Sequence, residues 1–241
     1  MKELLKTLCA LDGVSSWEDT VRDYLYAEAK PNADSLRVDA LGSLIVSKKG
    51  KKPTGNRVML CAHMDEVGLM VRRITDEGYL KFDAVGALDR RVLLGKPVRV
   101  GPKGIPGVVG LKAYHLVSRE EEKSVPKLDE FYIDIGAKDA EEARKLVQIG
   151  DFAVYEAPRF EQNGVLCGPY LDNRIGCVTL LLMMEQLADK EIENDLYFVF
   201  TAQEEVGLRG AGAAAFAVEP DAAIAVDVTD TGDLPEHKYP M

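Results

Sequence analysis

The sequence has little of what marks a secreted or membrane protein. Only four cysteines occur in 241 residues, and none lies in a CxxC pair, so a disulfide scaffold is excluded and reduced thiols are expected. The longest largely apolar run, residues 178–184, is far too short to span a bilayer. The first residues contain no apolar signal segment. We therefore expect a cytoplasmic protein without a membrane partner.

Positive charge is also scarce. Lys and Arg number 30 against 40 Asp and Glu, which gives a formal net charge of −10. Nucleic-acid binding needs clustered basic side chains, so the composition argues against a nucleic-acid partner. Hydrophobic residues make up 46% of the chain, which is enough for a packed core in one large domain or two modest ones.

Two kinds of local pattern alternate along the chain. The two outer segments, residues 1–67 and 164–241, mix helical patterns with buried strands. The helical patterns cover 2–11, 17–30, 174–188 and 207–217, and the buried strands cover 57–62, 196–201 and 222–226. Ser16 is placed to cap the second helix. Residues 68–163 contain six short strands separated by turns, which is typical of a small barrel or sandwich. We predict a three-layer α/β/α domain, formed by the two outer segments, with a β-rich, barrel-like domain inserted into it.

Polar residues follow the predicted buried strands at the point where each strand ends. His63, the pair Glu204–Glu205, and Asp227 occupy such positions, and Asp172 lies where a loop enters a helix. Because ligands bind at the carboxyl ends of strands in open α/β sheets, these side chains are expected to converge. Imidazole and carboxylate ligands suit Zn²⁺ and also accept Mn²⁺ or Co²⁺. The pattern predicts a site for divalent metal.

The spacing of these residues indicates a separate role for each of them at the site. Asp65 lies on the same side of an extended chain as His63 and could accept the other ring N–H of that histidine. Asp172 could give one oxygen to each of two ions. In an extended chain the side chains of Glu204 and Glu205 point to opposite sides. One of them is then expected to hold metal, while the other takes a proton from water.

Each of these signals has an ordinary structural explanation. A single histidine after a strand is usually structural, an aspartate at a helix start is usually a cap, and adjacent glutamates are usually solvated. Their joint occurrence at strand ends favours the metal site. The sequence contains no HExxH motif, and the glycines of residues 207–213 have the wrong spacing for a dinucleotide-binding loop.

The residues around these positions resemble a known family. The resemblance rests on four motifs, which occur in the order AHMDEVGLMV, GPYLDNRIGC, TAQEEVGLRGA and AVDVT. In that order they resemble the glutamyl, deblocking and tetrahedral (TET) aminopeptidases, some of which carry the label endoglucanase M. The middle of the chain resembles the inserted dimerisation domain of that family, in VGALDRRVLLGKPVRV, GVVGLKAYHL and FYIDIGAKDAEEA. The resemblance therefore covers nearly the whole sequence.

The resemblance implies a cytoplasmic enzyme that trims free amino ends of peptides with two divalent metal ions (Zn, Co or Mn). Residues 1–67 and 164–241 would form its catalytic domain, and residues 68–163 would dimerise and build larger assemblies, often dodecamers. By position, the family's metal ligands fall on His63, Asp172, Glu205 and Asp227, its general base on Glu204, and the carboxylate that orients the histidine on Asp65. Asp172 would be shared, with His63 and Asp227 on one ion and Glu205 on the other.

The sequence departs from the family pattern at one point. The family continues past Asp227 to a final histidine that completes the second metal site. This sequence has only three histidines, and neither His115 nor His237 fits that role. We expect a fragment or a naturally short chain that holds about one ion tightly and shows little turnover. A non-catalytic assembly or binding subunit and a related metal-dependent deacylase or carboxypeptidase are the alternatives.

Overall fold

A computed structural model describes residues 1–51 and 55–229. The α-helices are α1 (Lys2–Leu8), α2 (Asp19–Ala29), α3 (Ala140–Leu146), α4 (Leu171–Leu187) and α5 (Arg209–Val218). The strands are β1 (Ser35–Val38), β2 (Leu44–Lys48), β3 (Arg57–His63), β4 (Gly68–Ile74), β5 (Leu80–Val85), β6 (Pro97–Val100), β7 (Ile105–Gly110), β8 (Tyr132–Asp134), β9 (Phe152–Tyr155), β10 (Phe160–Gln162), β11 (Val165–Cys167), β12 (Asp195–Thr201) and β13 (Ala222–Ala225). Short 3₁₀ turns span Lys30–Asn32, Arg90–Val92, Tyr114–Leu116, Glu121–Lys123 and Leu128–Glu130.

The outer segments of the chain form a five-stranded mixed sheet in the order β1-β2-β12-β3-β13. Strands β12, β3 and β13 run parallel to one another, whereas β1, β2 and β12 pair antiparallel. Thr201 at the end of β12 pairs with His63 at the end of β3. The two strands therefore end level, and the segments that follow them leave the sheet side by side.

Helices cover both faces of this sheet. Leu8 of α1 and Leu25 of α2 pack with α4 in one core, together with Phe200 of β12. Val199, the neighbour of Phe200 on the same strand, points to the other face and packs with Ala214 of α5. The three-layer α/β/α arrangement predicted from the sequence is confirmed.

The middle of the chain forms a closed, antiparallel six-stranded barrel in the order β4-β5-β8-β7-β6-β9. Its interior is filled by buried side chains such as Leu69, Phe82, Val98 and Ile133. The sequence predicts six short strands in residues 68–163, and the barrel has six, so the barrel-like fold is confirmed. The hairpin of β10 and β11 follows the barrel and leads into α4. The limits of an inserted domain at residues 68 and 163 stay a prediction.

Two local expectations were wrong. Ser16 does not cap α2; it adopts a left-handed backbone conformation with φ of 73°, and α2 begins three residues later. Strand β13, expected to be buried, is exposed along its length. Within the described residues it pairs only with β3, so it forms the edge of the sheet.

The structure also bears on the cysteines and on membrane insertion. All four cysteines are free thiols; Cys9 and Cys177 are buried, and Cys61 and Cys167 are half-buried. In the part of the chain that the structure describes, no helix has both the length and the apolar character needed to cross a bilayer.

Candidate metal centre

His63 lies at the carboxyl end of β3 with its side chain only 3% exposed. Its Nε2 atom is 2.9 Å from Oδ1 of Asp172 and 3.8 Å from Oδ1 of Asp227. Each of these residues offers one ligand atom, and the three atoms lie within 4.8 Å of one another. The structure thus brings together three of the side chains that the sequence proposes as ligands.

Asn173 ties the two aspartates of this group to each other. Its Nδ2 donates to the carbonyl oxygen of Val226 at 2.8 Å, and Val226 directly precedes Asp227. Its Oδ1 accepts from the backbone N–H of Gly176 at 3.0 Å, inside the first turn of regular helix that follows Asp172. Sequence reasoning missed Asn173, although its position beside a proposed ligand in the motif was the available signal.

Glu204 and Glu205 form a second group with the same histidine. Ligand atoms of His63, Glu204 and Glu205 all lie within 4.8 Å of one another. The expectation that the two glutamates point to opposite sides was wrong. The chain leaves β12 after Thr201 and takes a left-handed conformation at Gln203, with φ of 57°, before a turn that includes Glu205. The alternation of an extended chain is broken there, so both carboxylates face His63.

Asp65 is fully buried and organises the backbone beneath this group. Its carboxylate accepts from the hydroxyl of Ser15 at 2.6 Å and from the backbone N–H groups of Glu204 and Glu205 at 3.0 and 3.1 Å. Nδ1 of His63 is 3.1 Å from the carbonyl oxygen of Asp65 and 3.5 Å from its Oδ1. The nearer partner of the ring is therefore the backbone oxygen, while the carboxylate mainly holds the loop.

The site carries more negative than positive charge. Burial disfavours the protonated form of His63, but the surrounding carboxylates, led by Asp65, outweigh it and raise its pKa to about 9. Burial, followed by the charges of Asp172 and Glu204, raises the pKa of Glu205 to about 7. The pKa of Glu204 is also raised, by burial first and then by the charges of Asp65, Asp227 and Asp172. A cation at this position would stabilise the ionised form of these carboxyl groups.

The donor atoms fit a divalent ion. Ligands about 2.0–2.1 Å from a tetrahedral zinc ion lie roughly 3.3 Å apart. The distances from Nε2 of His63 to the two aspartate oxygens, 2.9 and 3.8 Å, lie on either side of that value. A second ion could be held where the ligand atoms of Glu205, Glu204 and His63 lie close together. That Glu205 shares this ion with Asp172 stays a prediction. His115 lies in a 3₁₀ turn after β7, and His237 lies outside the described residues.

Comparison with known proteins identifies the family. The sequence model described as M42 glutamyl aminopeptidase matches residues 42–239. The chain belongs to the M42 glutamyl aminopeptidase family. A protein of Acetivibrio thermocellus is 45% identical to it over 241 residues, which is 100% of this chain and 69% of that protein. The family resemblance seen in the motifs is confirmed.

Solved structures of other peptidases share the fold. An aminopeptidase of the archaeon Desulfurococcus kamchatkensis superposes with a TM-score of 0.90 at 37% identity, over 97% of this chain and 64% of its own. The TET1 peptidase of Pyrococcus horikoshii, described as able to assemble into a tetrahedron or a large octahedral shell, gives a TM-score of 0.85 at 40% identity, over 97% and 72%. The chain thus spans about two thirds of the length of these relatives.

This M42 chain also holds a buried ion pair, which sequence reasoning missed; its carboxylate, Glu66, directly follows Asp65. Arg174 and Glu66 pair through Nη2 and Oε2, with side chains 0% and 1% exposed. Nη1 of Arg174 donates to the carbonyl oxygens of Leu8 and Leu11 at 2.9 and 3.2 Å, and Gly13 donates its N–H to Glu66. Burial raises the pKa of Glu66 to about 7, and Arg174 opposes that shift. Arg174 therefore joins the start of α4 both to the end of α1 and to the segment after β3 that carries Glu66.

An apolar cavity of about 450 Å³ lies between the barrel and the segments that lead into the candidate metal centre. Leu93, Pro97 and Tyr155 line it from the barrel, and Val67 and Tyr170 line it from the other side. None of the six predicted site residues lines the cavity. Val67, however, lies two residues after Asp65, and Tyr170 lies two residues before Asp172. The cavity is therefore a neighbour of the centre rather than part of it.

Proposed function

We propose that this chain carries the metal-binding and proton-transfer groups of an aminopeptidase that removes residues from the free amino end of peptides. The observation that carries the proposal is the acidic cluster around His63 at the carboxyl edge of the sheet, in a chain of the M42 family. Both the residue types and their spacing suit divalent metal.

In this proposal His63, Asp172 and Asp227 hold one ion, and Asp172 with Glu205 contributes to a second, with Zn²⁺, Co²⁺ or Mn²⁺ as candidates. Such ions, when bound, polarise a peptide carbonyl and lower the pKa of water. Asp65 keeps the ring of His63 and the glutamate loop in place through the contacts described above. Asn173 keeps the two aspartates within reach of the same histidine.

Glu204 is proposed as the general base and acid. Its pKa is raised, mainly by burial and then by the neighbouring carboxylates, so its carboxylate takes up a proton more readily than an exposed glutamate does. The group accepts a proton from the attacking water and later donates it to the leaving amine. Glu205 differs because it is proposed to contact metal, although both side chains face the same histidine.

Metal binding is the first test. Calorimetric titration of the metal-stripped chain with Zn²⁺, Co²⁺ or Mn²⁺ should show at least one tight binding event, and His63→Ala should weaken it severely. Glu185→Gln is the matched control, because this exposed carboxylate lies 13 residues along α4 from Asp172, roughly 20 Å away. Equal affinity in the wild type and His63→Ala would remove the proposed centre.

Turnover is the second test, with metal-loaded protein and three versions of one short peptide. An aminopeptidase releases amino acid from the free and the carboxyl-blocked peptide but not from the amino-blocked one. Release from the free and the amino-blocked peptide but not from the carboxyl-blocked one indicates a carboxypeptidase, and removal of the blocking group indicates a deacylase. In an active, full-length version of the enzyme, Glu204→Gln should retain metal and lose turnover. Metal binding without any turnover would favour the non-catalytic subunit.

We also propose that the barrel segment, residues 68–163, mediates self-association, with dimers building a larger assembly such as a dodecamer. Support comes from the assembly described for the Pyrococcus horikoshii relative and from exposed apolar side chains on this segment, such as Leu116, which is 61% exposed. Leu116→Asp should reduce the assembly size measured by light scattering. Val38→Asp, an equally polar change at exposed strand β1, should not. The cytoplasmic location stays a prediction from the sequence.

A further inference from the structure

The loop that carries Glu204 and Glu205 is held by a carboxylate from the other end of the chain. Glu18 is 6% exposed. Its Oε1 accepts a hydrogen bond of 3.0 Å from the backbone N–H of Gln203, 185 residues away in sequence, and one of 2.8 Å from the N–H of Ser16. A single buried oxygen therefore joins the segment before α2 to the glutamate loop.

Both donors of these hydrogen bonds lie in the left-handed region of backbone space. The φ angles of Ser16 and Gln203 are 73° and 57°. Residues with a side chain rarely adopt this region, so other contacts must favour it. Hydrogen bonds from N–H groups to a buried carboxylate are stronger than those between neutral groups. Glu18 is thus placed to stabilise both unusual turns.

The turn at Gln203 is what directs the two glutamates. The next two backbone N–H groups, those of Glu204 and Glu205, both donate to Asp65. Three successive N–H groups therefore end on two buried carboxylates, of which Glu18 holds the first. Loss of this first contact would free Gln203 to return to an extended conformation, in which adjacent side chains point apart.

We infer that Glu18 is a positioning residue for the Glu204–Glu205 pair, acting through the backbone of Gln203 and not through contact with metal or substrate. Glu18 occupies the N-cap position of α2, but its side chain does not cap that helix. Its carboxylate is directed instead to Ser16 and to the glutamate loop. The consequence for metal rests on the proposed function, whereas the consequence for the loop does not.

The test compares Glu18→Ala and Glu18→Gln with Leu25→Ala in the full chain. A glutamine keeps a side-chain oxygen that can accept both N–H groups, whereas alanine removes it. Leu25 is fully buried on α2, so Leu25→Ala destabilises the same helix without touching the loop. The readouts are hydrogen exchange of the Gln203 amide relative to the amides of β12, and calorimetric affinity for Zn²⁺ or Mn²⁺.

In Glu18→Ala we expect relative exchange at Gln203 to rise at least about tenfold and metal affinity to fall about 10–100-fold. Glu18→Gln should stay near the wild type in both readouts, and Leu25→Ala should change neither. The inference is overturned if Glu18→Ala leaves the loop protected, if glutamine is as damaging as alanine, or if Leu25→Ala reproduces the effects. If the wild type binds no metal, the proposed function fails, and hydrogen exchange still decides the role of Glu18.

Discussion

Two sets of carboxylates meet at one edge of the sheet, and different groups stabilise them. The inner carboxylates, which are buried and accept hydrogen bonds from the chain, are Glu18, Asp65 and Glu66. The outer carboxylates, which surround His63, are Asp172, Glu204, Glu205 and Asp227. The negative charge of the inner set is stabilised by N–H, hydroxyl and guanidinium donors. The negative charge of the outer set has only the imidazole of His63 beside it within the described residues.

This difference separates positioning from chemistry. Asp65 accepts the backbone N–H groups of Glu204 and Glu205, so an inner carboxylate determines where two outer ones lie. A buried carboxylate with such donors needs no metal ion, while carboxylates that crowd one histidine are stabilised by one. Substitutions in the inner set should therefore affect folding first, and substitutions in the outer set should affect metal first.

The largest effect is expected from the buried ion pair. Arg174→Met leaves the carboxylate of Glu66 buried without its cation and should lower the free energy of unfolding by about 3–5 kcal/mol, measured by urea denaturation. The double variant Glu66→Gln/Arg174→Met should recover part of this loss, because no charge is then left unpaired. A loss of less than about 1 kcal/mol in Arg174→Met would contradict the role assigned to the pair.

The same variant should show a pH dependence with a defined sign. Burial already raises the pKa of Glu66 to about 7, and removal of Arg174 removes the charge that opposes that shift. A carboxyl group whose pKa is higher in the folded than in the unfolded state favours folding less as the pH rises from the unfolded value of about 4.3 to the folded value. The destabilisation of Arg174→Met should therefore be smaller at pH 5 than at pH 8.

A substitution in the outer set should weaken metal binding strongly and change the stability of the metal-free protein little. Asp227→Asn removes one carboxylate from the group around His63, and the side chain of Asp227 is 50% exposed. We expect metal affinity to fall by more than about 100-fold, since even residues behind the ligands are worth 10–100-fold. The stability of the metal-free protein should change by about 0.5 kcal/mol or less. Calorimetry and urea denaturation on one preparation measure both.

Asp65→Asn tests the inner set and leaves the ion pair of Glu66 and Arg174 intact. An asparagine places an NH₂ group where Asp65 now accepts N–H and O–H donors, so at least one buried donor loses its partner. The metal-free protein should lose about 1–3 kcal/mol of unfolding free energy. If Asp65→Asn is as stable as Asp227→Asn in the absence of metal, the distinction between inner and outer carboxylates is wrong.

The smallest effect is expected for a carboxylate that belongs to neither set. Glu141 on α3 is exposed and pairs with Lys145 one helical turn later at 2.9 Å. Exposed pairs of this spacing contribute about 0.5 kcal/mol or less, so Glu141→Gln should barely move the denaturation midpoint. Salt should reduce even this difference. A larger loss of unfolding free energy in Glu141→Gln would show that the loss of a charge, rather than its burial, determines the stability changes predicted for the inner set.

Local patterns allowed much of this architecture to be predicted. Strand periodicity located the six barrel strands and β12, because each buries alternate or successive apolar residues next to a turn. Polar residues at strand ends were enough to predict that His63 and Asp227 are neighbours, and their side chains do meet. The same reasoning gave a wrong prediction for strand β13. Its apolar composition indicated burial, but its position at the edge of the sheet exposes it.

The sequence by itself determined which elements form and which residue types stand at the ends of the strands, because both depend on short-range pattern. Only the tertiary structure decided that Glu18 reaches Gln203 and that Glu204 and Glu205 face the same histidine. These arrangements depend on contacts between residues more than a hundred positions apart and on a left-handed turn that no local pattern of side chains marked. A buried carboxylate must find hydrogen-bond donors wherever the fold supplies them, and those donors are fixed only once the layers have packed.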